Sequence, residues 1–401
     1  MAKNKKPAPR KSGPSAEDIA DTLTQTLCDL AMDLVEQEDI ETMTEALKQK
    51  EIDFRKLVRK CLNQKKDDIL YSALERAKHA DIGAYQFLKE HLEQASQTLV
   101  MRREEGGVVE VDAFVIPLFV HTSGGLVSGE CFQDQDAYDQ LTASFKKAHL
   151  ESHDARVVLV SHAYHPDEID SITFSNLTDM IRDVYSSMSG KKAVAAPAIE
   201  RSFSGWPASH FEPGDQAVEL RFLLGFSLKA SEDPFYQVPD EETAADAYFD
   251  QRAERFQRWT EQVAPLVKSC LVAPGREAEV NFLYQDLFHG GKERGIAELF
   301  MLQMMSELDQ GLQAHGAAPE NVSAVIGPAD VMGDIILRVN LHAGADGALL
   351  VSAEKPLGPE ADLQVDVDDI VDALQTIGIQ SVALAKKFDA AGEPVDVRPI
   401  E

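Results

Sequence analysis

Ile19, Leu23, Leu27, Leu30 and Leu34 recur every three or four residues behind Ser15-Ala-Glu-Asp18. That spacing lays one apolar stripe along a capped helix. Ile40, Met43 and Leu47 predict a short second helix, and Phe54, Leu57, Val58, Cys61 and Leu62 a third, which ends at the polar break Asn63–Asp68. Ile69, Leu70, Ala73, Leu74 and Ala77 predict a fourth helix; Tyr85, Leu88, Leu92, Ala95 and Leu99 predict a fifth. Short connections between them make an all-α module over residues 15–105.

The period changes after Gly106-Gly107. Val108–Val120, VVEVDAFVIPLFV, reads as a strand whose first half has one wet face, marked by Glu110 and Asp112. Its second half is apolar on both faces, as in a covered central strand. Pro117 has no N–H for a ladder, so a bulge is expected there, or an amide position that points off the sheet. Strands and helices then alternate. A helix is expected over Asp134–Leu150, a strand over Arg156–Tyr164 and a helix from Pro166 whose later stripe is Leu177, Ile181, Val184 and Met188. A strand over Ala217–Leu228 precedes an acidic, Pro-broken run and a long helix carrying Phe249, Phe256, Trp259, Val263 and Leu266. A strand over Glu277–Tyr284 and a helix over Glu293–His315 come next. Three strands, a helix over Val367–Ile377 and a strand over Ser381–Phe388 finish the pattern.

The expected fold class is therefore α+β or α/β: an N-terminal all-α module, then a mixed-sheet region. Its parts are an α/β subdomain over 106–230, an acidic linker and long helix over 231–275, and a second α/β subdomain over 276–390. The two subdomains share a strand–helix–strand beginning, which hints at two related layers. Residues 1–14 are expected to be a disordered basic tail, and residues 391–401 a flexible one.

Charge narrows the class of partner. The net charge is −29, and Lys3, Lys5, Lys6, Arg10 and Lys11 all fall in the first twelve positions, where there is no acid. The rest of the chain is thus more acidic still. It repels phosphate backbones and anionic lipid, so neither nucleic acid nor a membrane is expected as partner. Cys28, Cys61, Cys131 and Cys270 are widely spaced with no Cys-x-x-Cys pair, which predicts reduced thiols and no metal site. No secretory signal or membrane-length apolar run is present, so a cytoplasmic protein is expected.

Candidate chemistry is sparse. His162 and His165 flank the end of a strand, with Asp167 and Glu168 behind them; strand ends of open α/β sheets are where ligands gather. His121 marks the end of the strand at Val108–Val120. The competing reading of the His162 pair is a strand-end loop whose Pro166-Asp167 starts the next helix. His289-Gly-Gly-Lys292-Glu-Arg294-Gly295 precedes an apolar helix, where Lys292, Arg294 and free amides can hold an anion, although the spacing matches no phosphate-binding loop. Phe203, Trp206 and Phe211 lie in an irregular segment and are candidate partner contacts. Asp134, Asp136 and Asp139 lack the glycine and distal glutamate of a calcium loop and read as helix-start acids, as do Asp362, Asp366, Asp368 and Asp369. No nucleophile elbow or metalloprotease motif occurs.

Several short stretches resemble those of an uncharacterised bacterial family of about this length. They are Tyr71-Ser-Ala-Leu74, Leu92-Glu-Gln-Ala-Ser-Gln-Thr98, Asp112-Ala-Phe-Val-Ile-Pro117, Ser323-Ala-Val-Ile326, Asp369-Ile-Val-Asp-Ala-Leu374 and Lys387-Phe-Asp389. The resemblance covers most of residues 70–390. It implies an architecture and a bacterial cytoplasmic setting, and no activity. That family continues into a Cys-x-x-Cys tail; this chain ends in Ala-Gly-Glu-Pro-Val-Asp and beyond, so no metal role carries over. The expected function is non-enzymatic action through a protein partner or self-association, without cofactor. The alternative is an enzyme or small-ligand binder with a site near His121, His162 and His165.

Overall fold

A computed structural model of the chain describes residues 15–35, 44–102, 107–122, 135–189, 218–272, 275, 277–344, 347–358 and 361–400. The chain divides into two compact units, residues 1–289 and 290–401.

The first unit opens with four helices: α1 (Ala16–Val35), α2 (Glu45–Asn63), α3 (Asp67–Ala80) and α4 (Ile82–Gln97). Leu27, Phe54, Leu70, Leu88 and Leu92 are fully buried where they meet. The second and third expected helices are one. Thr44 caps it through Leu47 N, and its stripe runs unbroken from Leu47 to Leu62. Ile40 and Met43 lie outside the described residues. The expected fifth helix ends early: Thr98 has extended backbone angles, and β1 (Thr98–Arg102) pairs with the next strand, so Leu99 is on a strand. Thr98 and Val100 are β-branched, and strand pairing outweighs the helical spacing that suggested otherwise.

That next strand is β2 (Val108–Thr122). After it come α5 (Gln135–Lys147), β3 (Arg156–Tyr164), α6 (Pro166–Asp170), α7 (Phe174–Ser189), β4 (Val218–Ala230), α8 (Glu242–Leu271), β5 (Ala278–Phe282) and β6 (Asp286–Leu287). The helix expected from Pro166 is thus two helices. The sheet order is β1-β2-β4-β3 and every pair is antiparallel. Along one side β2 pairs continuously with β4; along the other it pairs in turn with β1, β6 and β5. β5 and β6 therefore complete this sheet and do not begin a second layer.

The register between β2 and β4 passes through Pro117 without a shift, so the expected bulge is not there. The register shift falls in β3, between Leu159 and Ala163. Pro117 shows itself on the opposite edge. Its carbonyl accepts from Leu283 N at 2.9 Å, and its missing N–H points the same way, to the place where β5 has ended and β6 has not begun.

Alternate residues of β2 share a face. Phe114, Ile116, Leu118 and Val120 enter one core with Leu141 and Phe145 of α5 and Phe256, Trp259, Val263 and Val267 of α8. Gly225 of β4 lies opposite Phe114, and a Cβ there would stand 2.3 Å from the Phe114 ring. Gly225→Ala is therefore expected to displace that ring and cost about 2 kcal/mol, read as a lower midpoint of denaturant unfolding; an unchanged midpoint would show that the ring has room to move.

The second unit contains most of α9 (Phe288–His315), then β7 (Val322–Val331), β8 (Asp334–Ala343), β9 (Leu349–Pro356), α10 (Leu363–Thr376), β10 (Ser381–Leu384) and the short strands β11 (Lys387–Phe388), β12 (Pro394–Val395) and β13 (Arg398–Pro399). Its larger sheet has the order β13-β10-β7-β8-β9, and β10 is parallel to β7. Met304, Leu308 and Leu312 of α9 and Ile370 and Leu374 of α10 share a core with that sheet. The whole is an α+β protein. Among the described residues no helix is long and apolar enough to cross a membrane.

Candidate functional site

The face of β2 that is apolar from Phe114 onward is charged before it. Glu110 and Asp112 continue the alternation, and on β4 they stand opposite Lys229 and Ser227. At this end the apolar packing stops and a cleft of about 240 Å³ opens. Asp112, Phe114, Ser227 and Lys229 line it from the sheet. Glu151 reaches it from the turn before β3, Tyr236 from the segment after β4, and Phe249 and Arg252 from α8. Tyr284, Gln285, Asp286 and Leu287 close it. Tyr284 and Gln285 are there because of Pro117: where that residue offers no N–H, the chain between β5 and β6 leaves the ladder and lines the cleft instead.

The polar groups are closely matched. Lys229 Nζ forms an ion pair with Asp112 Oδ2, lies 3.2 Å from Glu110 Oε1 and stands 4.4 Å above the Tyr236 ring. Thr98 Oγ1 donates to Asp112 Oδ1 at 2.7 Å. Glu151, only 3% exposed, accepts from Ser227 Oγ at 2.9 Å and from the Tyr236 hydroxyl at 2.6 Å. The Tyr236 oxygen in turn accepts from Ser152 N at 3.2 Å. The Arg252 guanidinium and the Tyr284 phenol face each other in the cleft and interact electrostatically. Against this network stands Gln285: it is 8% exposed, and its Oε1 has no hydrogen-bond partner among the described residues.

Burial alone would lower the affinity of Lys229 for its proton, but the Asp112 and Glu110 carboxylates more than offset it and the net shift is upward. Burial and the Glu151 carboxylate push the Tyr236 phenol up, and burial, partly countered by Arg252, raises Tyr284. Lys229 is thus a held ammonium, and both phenols keep their protons. A nucleophilic or Schiff-base lysine needs its proton affinity lowered; this arrangement does the reverse and suits recognition.

The sequence pointed to other residues. His162 Nε2 lies 3.1 Å from Glu168 Oε2, and the same oxygen accepts from His165 N at 2.7 Å. His165 caps α6, its Nδ1 accepting from Asp167 N at 3.2 Å. The structure brings these two histidines to one carboxylate. It does not bring His121 to them: His121 ends β2 opposite Val218, and β4 separates it from β3. Lys292 and Arg294 fall in the second unit, within α9. That helix begins at Phe288, so the glycines before them are helical and form no loop. One amide of its terminus, His289 N, is satisfied by Gln97 Oε1 at 3.0 Å. Phe203, Trp206 and Phe211 lie outside the described residues, as do Cys131 and Asp134. Among the described residues no three His, Cys, Asp or Glu gather as a metal site.

The His165 cap carries a pH prediction. Burial first, and Arg221 second, lower the affinity of His165 for its proton. The unfolded chain thus takes up this proton first as the pH falls, so the cap's contribution is complete above about pH 6.5 and is lost on acidification through the folded value. Loss of about 1 kcal/mol is expected. Thermal melts at neutral and mildly acidic pH should show a drop that His165→Asn, whose acceptor does not titrate, makes smaller; an equal drop in both proteins would place the titration elsewhere.

A second cluster has the composition of a catalytic triad. Ser96 Oγ lies 3.0 Å from His289 Nε2, and His289 Nδ1 lies 4.0 Å from Glu93 Oε1. The Ser96 hydroxyl donates to Glu93 O at 3.0 Å, so it receives its bond from the imidazole N–H. A general base would need the opposite proton arrangement. Ser96 is also fully buried, and the cluster ties the end of α4 to the start of α9.

A family model described as a protein of unknown function, DUF2863, matches residues 21–290. All the residues of the cleft fall inside that stretch. No curated protein and no solved structure matches the chain.

Proposed function

The chain belongs to the DUF2863 family of unknown function, and for this member we propose that the cleft beside Lys229 binds a small polar ligand without transforming it. The observation that carries the reading is Gln285, a residue that lines the cleft and whose buried Oε1 has no hydrogen-bond partner among the described residues. Leaving such an acceptor unsatisfied costs about 1–3 kcal/mol, which a ligand donor would recover. The 240 Å³ of space is just below the roughly 300–1,000 Å³ of drug-sized sites, which suits a small metabolite. Asp112, Glu151 and Asp286 outnumber Lys229 and Arg252 in the lining, so the ligand is neutral or cationic and presents an N–H or O–H group. Tyr236, Tyr284 and Phe249 supply apolar walls.

The test is a thermal-shift screen of small amines, primary amides and polyols, each hit repeated on Gln285→Leu. Donor-bearing compounds are expected to raise the melting temperature of the natural protein, by the equivalent of about 2.7 kcal/mol at a hundred times Kd, and that of the variant by no more than about half as much at the same concentration. Hits that stabilise both proteins equally, or only compounds without a donor, would contradict the reading.

A further inference from the structure

A second recess of about 510 Å³ lies among the helices of the first unit and shares no lining residue with the cleft. Phe54, Val58 and Leu62 of α2 give it an apolar floor. Arg55 and Arg59 of α2, Arg182 of α7 and His91 of α4 stand around it, and among the described residues no carboxylate lines it. Three arginines facing one recess stand out in a chain of net charge −29.

The recess also meets an edge of the sheet. β1 is the terminal strand of the order β1-β2-β4-β3, and among the described residues it pairs only with β2. Thr98 and Val100 point to the face of the sheet that carries Asp112 and Glu110, whereas Leu99 points to the other; all three line the recess. A surface touched by both faces of a strand runs past its open edge. Val100 is 57% exposed there. Exposed strand edges are normally blunted by charge, proline or a cover, because they pair with other chains; β1, TLVMR, has no proline and a charge only at its last residue, Arg102.

We propose that this recess is a docking site for an extended acidic segment of a partner protein, which adds a strand to the outer edge of β1, unpaired among the described residues, and places its carboxylates on Arg55, Arg59 and Arg182. Backbone bonds to the edge give affinity in this mode, and side-chain sites beside it give specificity. Arginine suits carboxylates through its fork of donors. Part of that capacity is already used at two of the three: Arg55 lies 2.6 Å from Glu51, and Arg182 lies 3.4 Å from Asp179 and donates to Asn63. Arg59 is exposed and is the residue of the three best placed to receive a new carboxylate.

Fluorescence polarisation on the full chain tests this with a labelled peptide of alternating glutamate and valine. A length of about eight residues spans roughly 26 Å at ~3.3 Å per residue. The peptide is expected to bind, and its affinity to fall about tenfold both in Arg59→Glu and on raising the salt well above physiological strength. A version N-methylated on alternate amides keeps the charges and cannot pair as a strand, so it is expected to bind at least about tenfold more weakly. Equal binding of the N-methylated peptide would reduce the site to a charge patch and overturn the proposal. So would equal binding of a lysine–valine peptide, a nucleic-acid oligomer that competes as well as the acidic peptide, or concentration-dependent self-association that Arg59→Glu abolishes while the peptide fails to bind.

Discussion

Replacing Lys229 by methionine is expected to lower the stability of the first unit by about 3 kcal/mol, the lower end of what removing one partner of a buried ion pair costs. The side chain is 15% exposed, and its partner Asp112 is 9% exposed. Methionine matches its length and leaves Asp112 and Glu110 facing each other across a space that held a cation. Among the described residues Asp112 keeps only the Thr98 hydroxyl, so most of the loss is the desolvated carboxylate and not the missing contact. A double change, Lys229→Met with Asp112→Leu, is therefore expected to be less destabilised than the sum of the single changes by 1 kcal/mol or more, on the order of couplings between contacting residues. The pH profile supplies an independent check. Lys229 holds its proton more tightly folded than unfolded, so its contribution is complete below the unfolded value of about 10.4 and is lost as the pH rises through the folded one. Lys229→Met should flatten that alkaline loss. Additive single changes with an unaltered alkaline limb would show that the cluster is solvated and unimportant.

Gln285→Leu is expected to produce two effects of opposite sign. It removes a buried acceptor that has no partner among the described residues, so the ligand-free protein is expected to gain about 1 kcal/mol, at the low end of the cost of an unsatisfied group. It also removes the acceptor that a ligand would use, so affinity is expected to fall by at least about tenfold, since one hydrogen bond in a closed site is worth 1.4 kcal/mol or more. Stability gained with function lost is the signature of a binding group held at a cost to the fold. A glutamine that merely braces the turn between β5 and β6 would behave in the reverse way, with the variant less stable.

Much of the fold was legible because it rests on periodicity. The stripe Ile19 to Leu34 became α1, and VVEVDAFVIPLFV became β2 with its wet positions at Glu110 and Asp112. Leu99 was misread, because one leucine in helical phase does not outweigh a strand partner waiting at Val111. Pro117 was expected to make a bulge or to point its amide off the sheet; the register with β4 shows no bulge, and the sequence does not say which edge its missing N–H faces. The cleft was not found. Its residues come from six separated places in the chain, and they meet only through the pairing of β2 with β4 and the detour after Phe282. One signal was present: acids inside one apolar strand, Glu110 and Asp112, and a base ending another, FLLGFSLKA. Opposite charges on two otherwise buried strands have to be paired or solvated. The histidines are the more conspicuous residues in the sequence, because of the chemistry their side chain offers. His165 proves to be a helix cap, and His162 shares Glu168 with it.

The role given to the cleft turns on Gln285, and the most direct measurement is calorimetric unfolding of the natural chain and of Gln285→Leu in plain buffer, with no ligand added. A melting temperature higher in the variant is the predicted result. A lower one, by the equivalent of about 1 kcal/mol or more, would mean that the glutamine is a structural brace, and would contradict the assignment of this cleft as a ligand site.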